Sequence, residues 1–236
     1  MLTNFISYKP KNTILEFDDT DHKKLYRINL KKQSNDWIYR SKKVYYNFNK
    51  HGFRNCEFKK VKWSKSIVVF GDSITFGCGL AEEDTISKQL ERILDIPTVN
   101  LGISAAGTDL ACVNSLILHE NFPRPRAVVH VRTSLGRYTD FDFNENIAAT
   151  PYLAHWKNYY YKLNWEERSK LYILSDRALW KNKVPYSEIT FFTCAKDFGI
   201  KQINKIDLAR DQFHPGITSC LNAAETIAKN LKEQGI

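Results

Sequence analysis

Three observations along this 236-residue chain predict an α/β fold built on a parallel sheet. Apolar runs rich in β-branched residues recur from residue 67 onward, as the buried strands of a parallel sheet require. Between them lie segments with apolar residues at helical spacing, so strand and helix alternate. The first run, Ile67-Val68-Val69-Phe70, ends at Gly71 and leads into Asp72 and Ser73, both suited to a helix N-cap. A serine there lies at the carboxyl end of a strand, where open α/β sheets place their ligands.

Taken in order, residues 1–62 read as a basic, β-rich N-terminal extension. Residues 25–30 (LYRINL) and 44–48 (VYYNF) partly alternate apolar with polar, which predicts half-exposed strands. Asn49-Lys50-His51-Gly52 reads as a turn. So short a segment buries little surface alone and is expected to pack on the main domain, residues 63–236. There the spacing predicts a strand over 67–70, a helix over 84–94, a strand over 98–101 and a helix over 108–119. A strand over 127–131 and a helix over about 164–180 follow, the latter after a tyrosine-rich loop. Residues 187–198 suit a strand through Ile189-Thr190-Phe191-Phe192, or a helix capped by Ser187 and closed by Gly199. A late strand over 201–206 and a final amphipathic helix over 216–232 complete the reading.

Composition sets bounds on function. A hydrophobic share of 43% and an aromatic share of 13% belong to a folded chain. No stretch reaches the ~20 apolar residues of a membrane helix, and residues 1–11 contain no apolar signal core. The five cysteines (Cys56, Cys78, Cys112, Cys194, Cys220) are odd in number and widely spaced, which points to a reducing, cytoplasmic setting. No CxxC or HExxH spacing calls for a metal, and no cofactor is implied. The net charge of +9 is uneven: residues 1–65 hold 16 Lys and Arg against 6 Asp and Glu, and the rest is nearly neutral. Such a segment either solvates the surface or binds a polyanion.

The chemistry rests on two distant signals. Serine is a poor nucleophile without a base in hydrogen-bond reach, and the base needs an orienting group. Ser73 is the candidate nucleophile, His214 the candidate base, and Asp211, three residues earlier in Asp211-Gln212-Phe213-His214-Pro215, the candidate orienter. The other histidines (His22, His51, His119, His130, His155) have no such company and read as structural or surface residues. An oxyanion needs fixed donors. The Ser73 amide offers one, and Gly102, in Asn100-Leu101-Gly102-Ile103-Ser104, could offer another or simply end its strand. Cys78 reads as a small buried residue with no base beside it. The loop 155–161, with Trp165, could form an aromatic lid or sugar platform, or pack an insertion onto the core.

These residues resemble the blocks of the SGNH/GDSL hydrolase family: Gly71-Asp72-Ser73 in VVFGDSITFG, Gly102 in NLGISAAGT, and Asp211 with His214 in DQFHPG. The resemblance covers about residues 45–236 and keeps the family's order. It implies a flavodoxin-like three-layer α/β/α sandwich and ester hydrolysis or acyl transfer. By matching position it implies a nucleophile and oxyanion donor at Ser73, a second donor at Gly102, a base at His214 and its partner at Asp211. One block departs. The family's Gly-x-Asn-Asp after the third strand is replaced by Val129-His130-Val131-Arg132-Thr133-Ser134-Leu135-Gly136-Arg137, which has no asparagine. Thr133 or Ser134 could supply a hydroxyl instead, while Asp72, Arg132 and Arg137 are candidate substrate-contacting charges.

The expectation is a serine esterase acting on an oxygen ester, such as an acetylated carbohydrate or a small-molecule ester. Two alternatives stand beside it. One is an O-acetyltransferase using the same site. The other is a catalytically weakened module whose basic extension binds a polyanion, nucleic acid or glycan, with Tyr26, Trp37, Tyr39, Tyr45 and Tyr46 available for stacking.

Overall fold

The computed structural model describes residues 3–18, 20–135, 137–142, 148–152, 165–193 and 198–236. The extension contributes β1 (Thr13–Leu15), α1 (Lys23–Lys32) and β2 (Tyr46–Phe48), with β1 and β2 paired antiparallel. The main domain follows as β3 (Ile67–Gly71), α2 (Ser73–Phe76), α3 (Ile86–Leu94), β4 (Thr98–Gly102), α4 (Thr108–Asn121) and β5 (Ala127–Arg132). Then come β6 (Tyr138–Asp142), β7 (Ala148–Tyr152), α5 (Trp165–Trp180), β8 (Tyr186–Thr190), β9 (Lys201–Gln202) and α6 (Ile217–Lys232).

Strands β4-β3-β5-β8-β9 form one parallel sheet in that order. This is the flavodoxin-like order, and it reverses direction beside β3. Strand side chains alternate between faces. Ile67 and Val69 join Val129, Ile86, Leu90, Ala224 and Ile227 in the core under α3 and α6. Val68 and Phe70 join Leu101, Leu110, Leu118 and Trp180 under α4 and α5. Two apolar layers on opposite faces of one sheet make the three-layer α/β/α sandwich.

Within the extension, residues 25–30 are helical, which corrects the strand expected there. His22 caps the helix by accepting the Leu25 N–H on Nδ1 at 3.1 Å. Leu25, Tyr26, Asn29 and Leu30 are the less exposed positions, a pattern with helical and not two-residue period. The strand at residues 44–48 is real but shorter, at Tyr46–Phe48. Residues 186–190 resolve the open choice in favour of a strand, because they pair with β5 in parallel. The late strand is confined to Lys201–Gln202. The tyrosine-rich loop lies among residues 153–164 and so outside the described residues.

Among the described residues no helix is long and apolar enough to cross a membrane. Two of the five aromatic side chains expected to stack on a polyanion are core residues. Tyr39 and Tyr46 are buried, and Tyr46 is hydrogen-bonded to Asp21. The basic charge of the extension is partly internal as well. Lys9 pairs with Asp18 at 2.8 Å in the interior, and Arg54 is buried against backbone carbonyls.

Candidate active site

The serine turn is shaped by what surrounds Gly71. A Cβ there would stand 2.1 Å from Thr75 Oγ1 and 2.7 Å from the Val131 carbonyl oxygen, so only glycine lets α2 fold back onto the sheet. Asp72 caps α2, its Oδ1 accepting the Ile74 N–H at 3.0 Å. Ser73 is then the first helical residue, at the carboxyl end of β3 where the strand order reverses.

The histidine turn is built by Asp211. Its Oδ1 accepts the N–H groups of Phe213 and His214, both at 3.0 Å, while Gln212, between Asp211 and Phe213, adopts φ 60°. A non-glycine residue in the left-handed region is held there by its surroundings. Here the Gln212 side chain donates to the Ala209 carbonyl at 3.0 Å, and Ala209 N–H donates to the His214 carbonyl at 2.9 Å.

The two turns meet across 141 residues of sequence. His214 Nδ1 stands 2.5 Å from Asp211 Oδ2, and His214 Nε2 stands 2.9 Å from Ser73 Oγ. All three side chains are buried. With the Nδ1 proton donated to the carboxylate, Nε2 carries the lone pair and accepts the serine hydroxyl proton. Phe213 projects beside His214, 68% exposed, with the rings 5.1 Å apart and edge to face. It borders a groove of about 450 Å³ lined by Thr20, His22, Leu25, Asn29, Asp211 and Gln212.

Gly102 aligns with Gly71 across the sheet. A Cβ on it would stand 2.4 Å from Phe76 N, so its lack of a side chain serves the packing of β4 against α2. Its N–H donates to Asn100 Oδ1 at 2.9 Å, while Asn100 Nδ2 donates to the Thr75 carbonyl at 2.9 Å. The Gly102 amide therefore already has an acceptor. Beyond it, Ala105 takes φ 66°, and Ser104 Oγ lies 3.3 Å from Cys78 Sγ. That contact brings the loop after β4 to the segment after Ser73, since Cys78 N–H donates to the Ser73 carbonyl at 3.0 Å.

The charges expected to touch substrate have partners within the protein. Asp72 Oδ2 accepts the Thr133 hydroxyl at 2.6 Å and the Arg137 guanidinium at 2.8 Å. Thr133 and Arg137 thus hold the helix cap. Arg132 is buried and bonded to Asp176 at 2.6 Å, Glu188 at 3.2 Å and the Tyr186 hydroxyl at 2.8 Å. Ser134 is half-buried, its carbonyl accepting the Arg137 N–H at 3.2 Å. Burial pushes the Cys78 thiol up to about 12, so it stays protonated and is no rival nucleophile. Among the described residues no group of three or more His, Cys, Asp or Glu is placed to hold a metal ion.

Sequence reasoning missed Asn100, though it stands in the quoted block, because its role depends on a side chain reaching back over α2. It also missed Asp21, Asn29, Gln33 and Arg210, which pair across about 180 residues. No motif marks them.

No protein-family model matches the chain, and no curated protein matches it. Among solved structures the chain is similar to a carbohydrate esterase family 2 enzyme from Corynascus thermopiles (Myceliophthora fergusii). That match has 14% identity and a TM-score of 0.44, over 71% of this chain and 67% of that one. It is also similar to an acetyl xylan esterase from the rumen bacterium Butyrivibrio proteoclasticus, with 12% identity and a TM-score of 0.42, over 74% and 64% of the two chains. A member of the lipolytic G-D-S-L family from Veillonella parvula matches with 12% identity and a TM-score of 0.40, over 71% and 96%.

Proposed function

We propose that this chain is a serine ester hydrolase of SGNH type, acting on an oxygen ester through Ser73, His214 and Asp211. One observation carries the reading: hydroxyl, imidazole and carboxylate stand in a single hydrogen-bonded line at 2.9 and 2.5 Å. That line supplies a nucleophile, a general base and a group that fixes the tautomer. Ser73 attacks the ester carbonyl while His214 takes its proton. Asp211 stabilises the imidazolium, and His214 then protonates the leaving alcohol. Water, activated by the same imidazole, releases the acid from the acyl-enzyme. Release to a second alcohol instead would make the chain an O-acetyltransferase.

The oxyanion lies against the first amide of α2, the Ser73 N–H, where the helix N-terminus favours negative charge. For the second donor, Gly102 could serve only by leaving Asn100, and the Ser104–Ala105 stretch, brought to the serine segment by the Ser104–Cys78 contact, is the other candidate. Exposed Phe213 offers an apolar face to the alcohol side of the ester, which suits a sugar ring or other flat apolar group.

The test is turnover of p-nitrophenyl acetate and of an acetylated oligosaccharide by wild type and by Ser73→Ala. Loss of at least about 10³-fold in kcat with the alanine supports the reading. Equal rates would end it.

A further inference from the structure

Two segments far apart in sequence must be held together for Ser73 to meet His214, and one carboxylate of the extension bonds to the histidine segment directly and to the serine segment through one intermediary, Tyr46. Asp21 is fully buried. Its Oδ2 accepts the Tyr46 hydroxyl at 2.6 Å and Arg210 Nη2 at 2.7 Å, and Arg210 Nε also donates to it at 3.0 Å. Tyr46 Oη in turn accepts the Gly79 N–H at 2.8 Å. Gly79 follows Cys78, whose N–H is bonded to the Ser73 carbonyl, and Arg210 immediately precedes Asp211. The Arg210 N–H donates to the Gly79 carbonyl at 3.1 Å. From Asp21 the serine segment is therefore reached through Tyr46, and the histidine turn through Arg210.

The rest of the extension reinforces the same two places. Asn29 Nδ2 donates to the Arg210 carbonyl at 3.0 Å, and Gln33 Nε2 to Gln212 Oε1 at 2.8 Å. Gln212 is the left-handed residue of the histidine turn. Buried Arg54 donates to the carbonyls of Phe76, the last residue of α2, and of Gly77 and Leu80 just beyond it. The Arg210 guanidinium also lies over the Phe17 and Tyr26 rings, at 4.7 and 5.3 Å.

We propose that Asp21 is a positioning residue for the Ser73–His214 pair, acting through Tyr46 and Arg210. This rests on the hydrolase reading above. The N-terminal extension is then part of the active-site scaffold and not a separate polyanion-binding arm. A small change in the distance between nucleophile and base is costly, because proton transfer needs hydrogen-bond contact.

The experiment compares full-length wild type with Asp21→Asn, Tyr46→Phe and Gln33→Ala. Each is checked for fold by circular dichroism, and active sites are counted with a serine-reactive phosphonate. On p-nitrophenyl acetate, Asp21→Asn should lose about 10-fold or more in kcat per active site at near-constant KM. Tyr46→Phe and Gln33→Ala should each lose about 3-fold in the same way. A purely structural role would lower thermal stability and leave kcat per active site unchanged, and that result in the folded variants would overturn the proposal. If Asp21→Asn does not fold, Tyr46→Phe carries the test.

A second readout is independent of turnover: the downfield proton resonance of His214 Nδ1–H. It should shift or broaden in Asp21→Asn and Tyr46→Phe, and an unchanged resonance in both would overturn the proposal. A moved resonance in a protein whose wild type cleaves no ester would leave the positioning role standing and end the hydrolase reading.

Discussion

The Thr133 hydroxyl donates to Asp72 Oδ2 at 2.6 Å, and Arg137 donates to the same oxygen at 2.8 Å. The other oxygen of that carboxylate caps the helix that begins with Ser73. The loop after β5 thus acts on Ser73 through Asp72. Thr133→Val should cost about 1.5–3 kcal/mol of stability, the usual range for a hydrogen bond to a charged group. It should lower kcat far less than the 10²–10³-fold typical of a lost oxyanion donor. Thr133→Ser should restore both. Urea unfolding with kinetics on the same preparations checks it, and a 10³-fold fall in kcat at intact stability would return Thr133 to the oxyanion.

Arg132 is expected to matter for stability and not for substrate. It is buried between Asp176 and Glu188, and burial pushes the Asp176 carboxyl up against the opposing pull of Arg132. Arg132→Met would leave buried Asp176 without its arginine, while Glu188 keeps Arg177. Breaking a buried pair from one side costs about 3–5 kcal/mol. The folded fraction should keep its KM. Chemical denaturation and active-site-normalised kinetics separate the two effects, and a raised KM at unchanged stability would contradict the expectation.

Ala105 sits at φ 66° in the loop that reaches the serine segment. For an L-residue with a Cβ this conformation costs roughly 1–2 kcal/mol, partly offset in glycine by its greater chain entropy. Ala105→Gly should therefore gain about 0.5–1 kcal/mol. If the Ser104–Ala105 amides face the oxyanion, the looser loop should also lower kcat. A variant that is neither more stable nor slower would show that the left-handed turn serves neither purpose.

Much of the sheet was legible because its strands are buried on both faces. Ile67–Gly71 is a short apolar run, and Ala127–Arg132 is one but for His130 and Arg132. Ser73, and Asp211 with His214, were legible as candidates because each is marked by local sequence, a strand-ending turn in the first case and a three-residue spacing in the second. The extension was harder. Residues 25–30 alternate well enough for a strand, and only the His22 cap and packing on the histidine turn make them a helix. The side-chain partners of Arg132 and Thr133 were not legible, for a related reason. Both lie near Ser73 in the fold, but side-chain direction at the end of β5 sends one to Asp176 and the other to Asp72. The Asp21–Arg210 pair spans 189 residues, and no local pattern encodes it.

His130 gives the chain a dependence on acid that is separate from catalysis. It is fully buried in the middle of β5, stacked on Phe70 with rings 5.0 Å apart, and near Tyr186. Burial, and then the Arg132 charge, hold its pKa well below the usual 6.5. Although Asp176 Oδ2 is 3.5 Å from Nδ1, the imidazole stays neutral in the folded state. The unfolded chain takes up a proton near pH 6.5 that the folded chain refuses. Stability is therefore full above that pH and falls below it, with a slope approaching about 1.4 kcal/mol per pH unit. Asp176 acts in the opposite sense. Its folded pKa is raised by burial, so acid stabilises through it, but only in the window between its ordinary 3.8 and its raised value. His51, lowered by partial burial, adds to the histidine trend and is present in every variant compared. His130→Phe removes the titrating group and keeps a ring against Phe70. Thermal melts from pH 8 to pH 5 should show wild type losing stability faster than His130→Phe below pH 6.5, with the two parallel above it. Parallel curves over the whole range would mean that His130 does not carry this dependence.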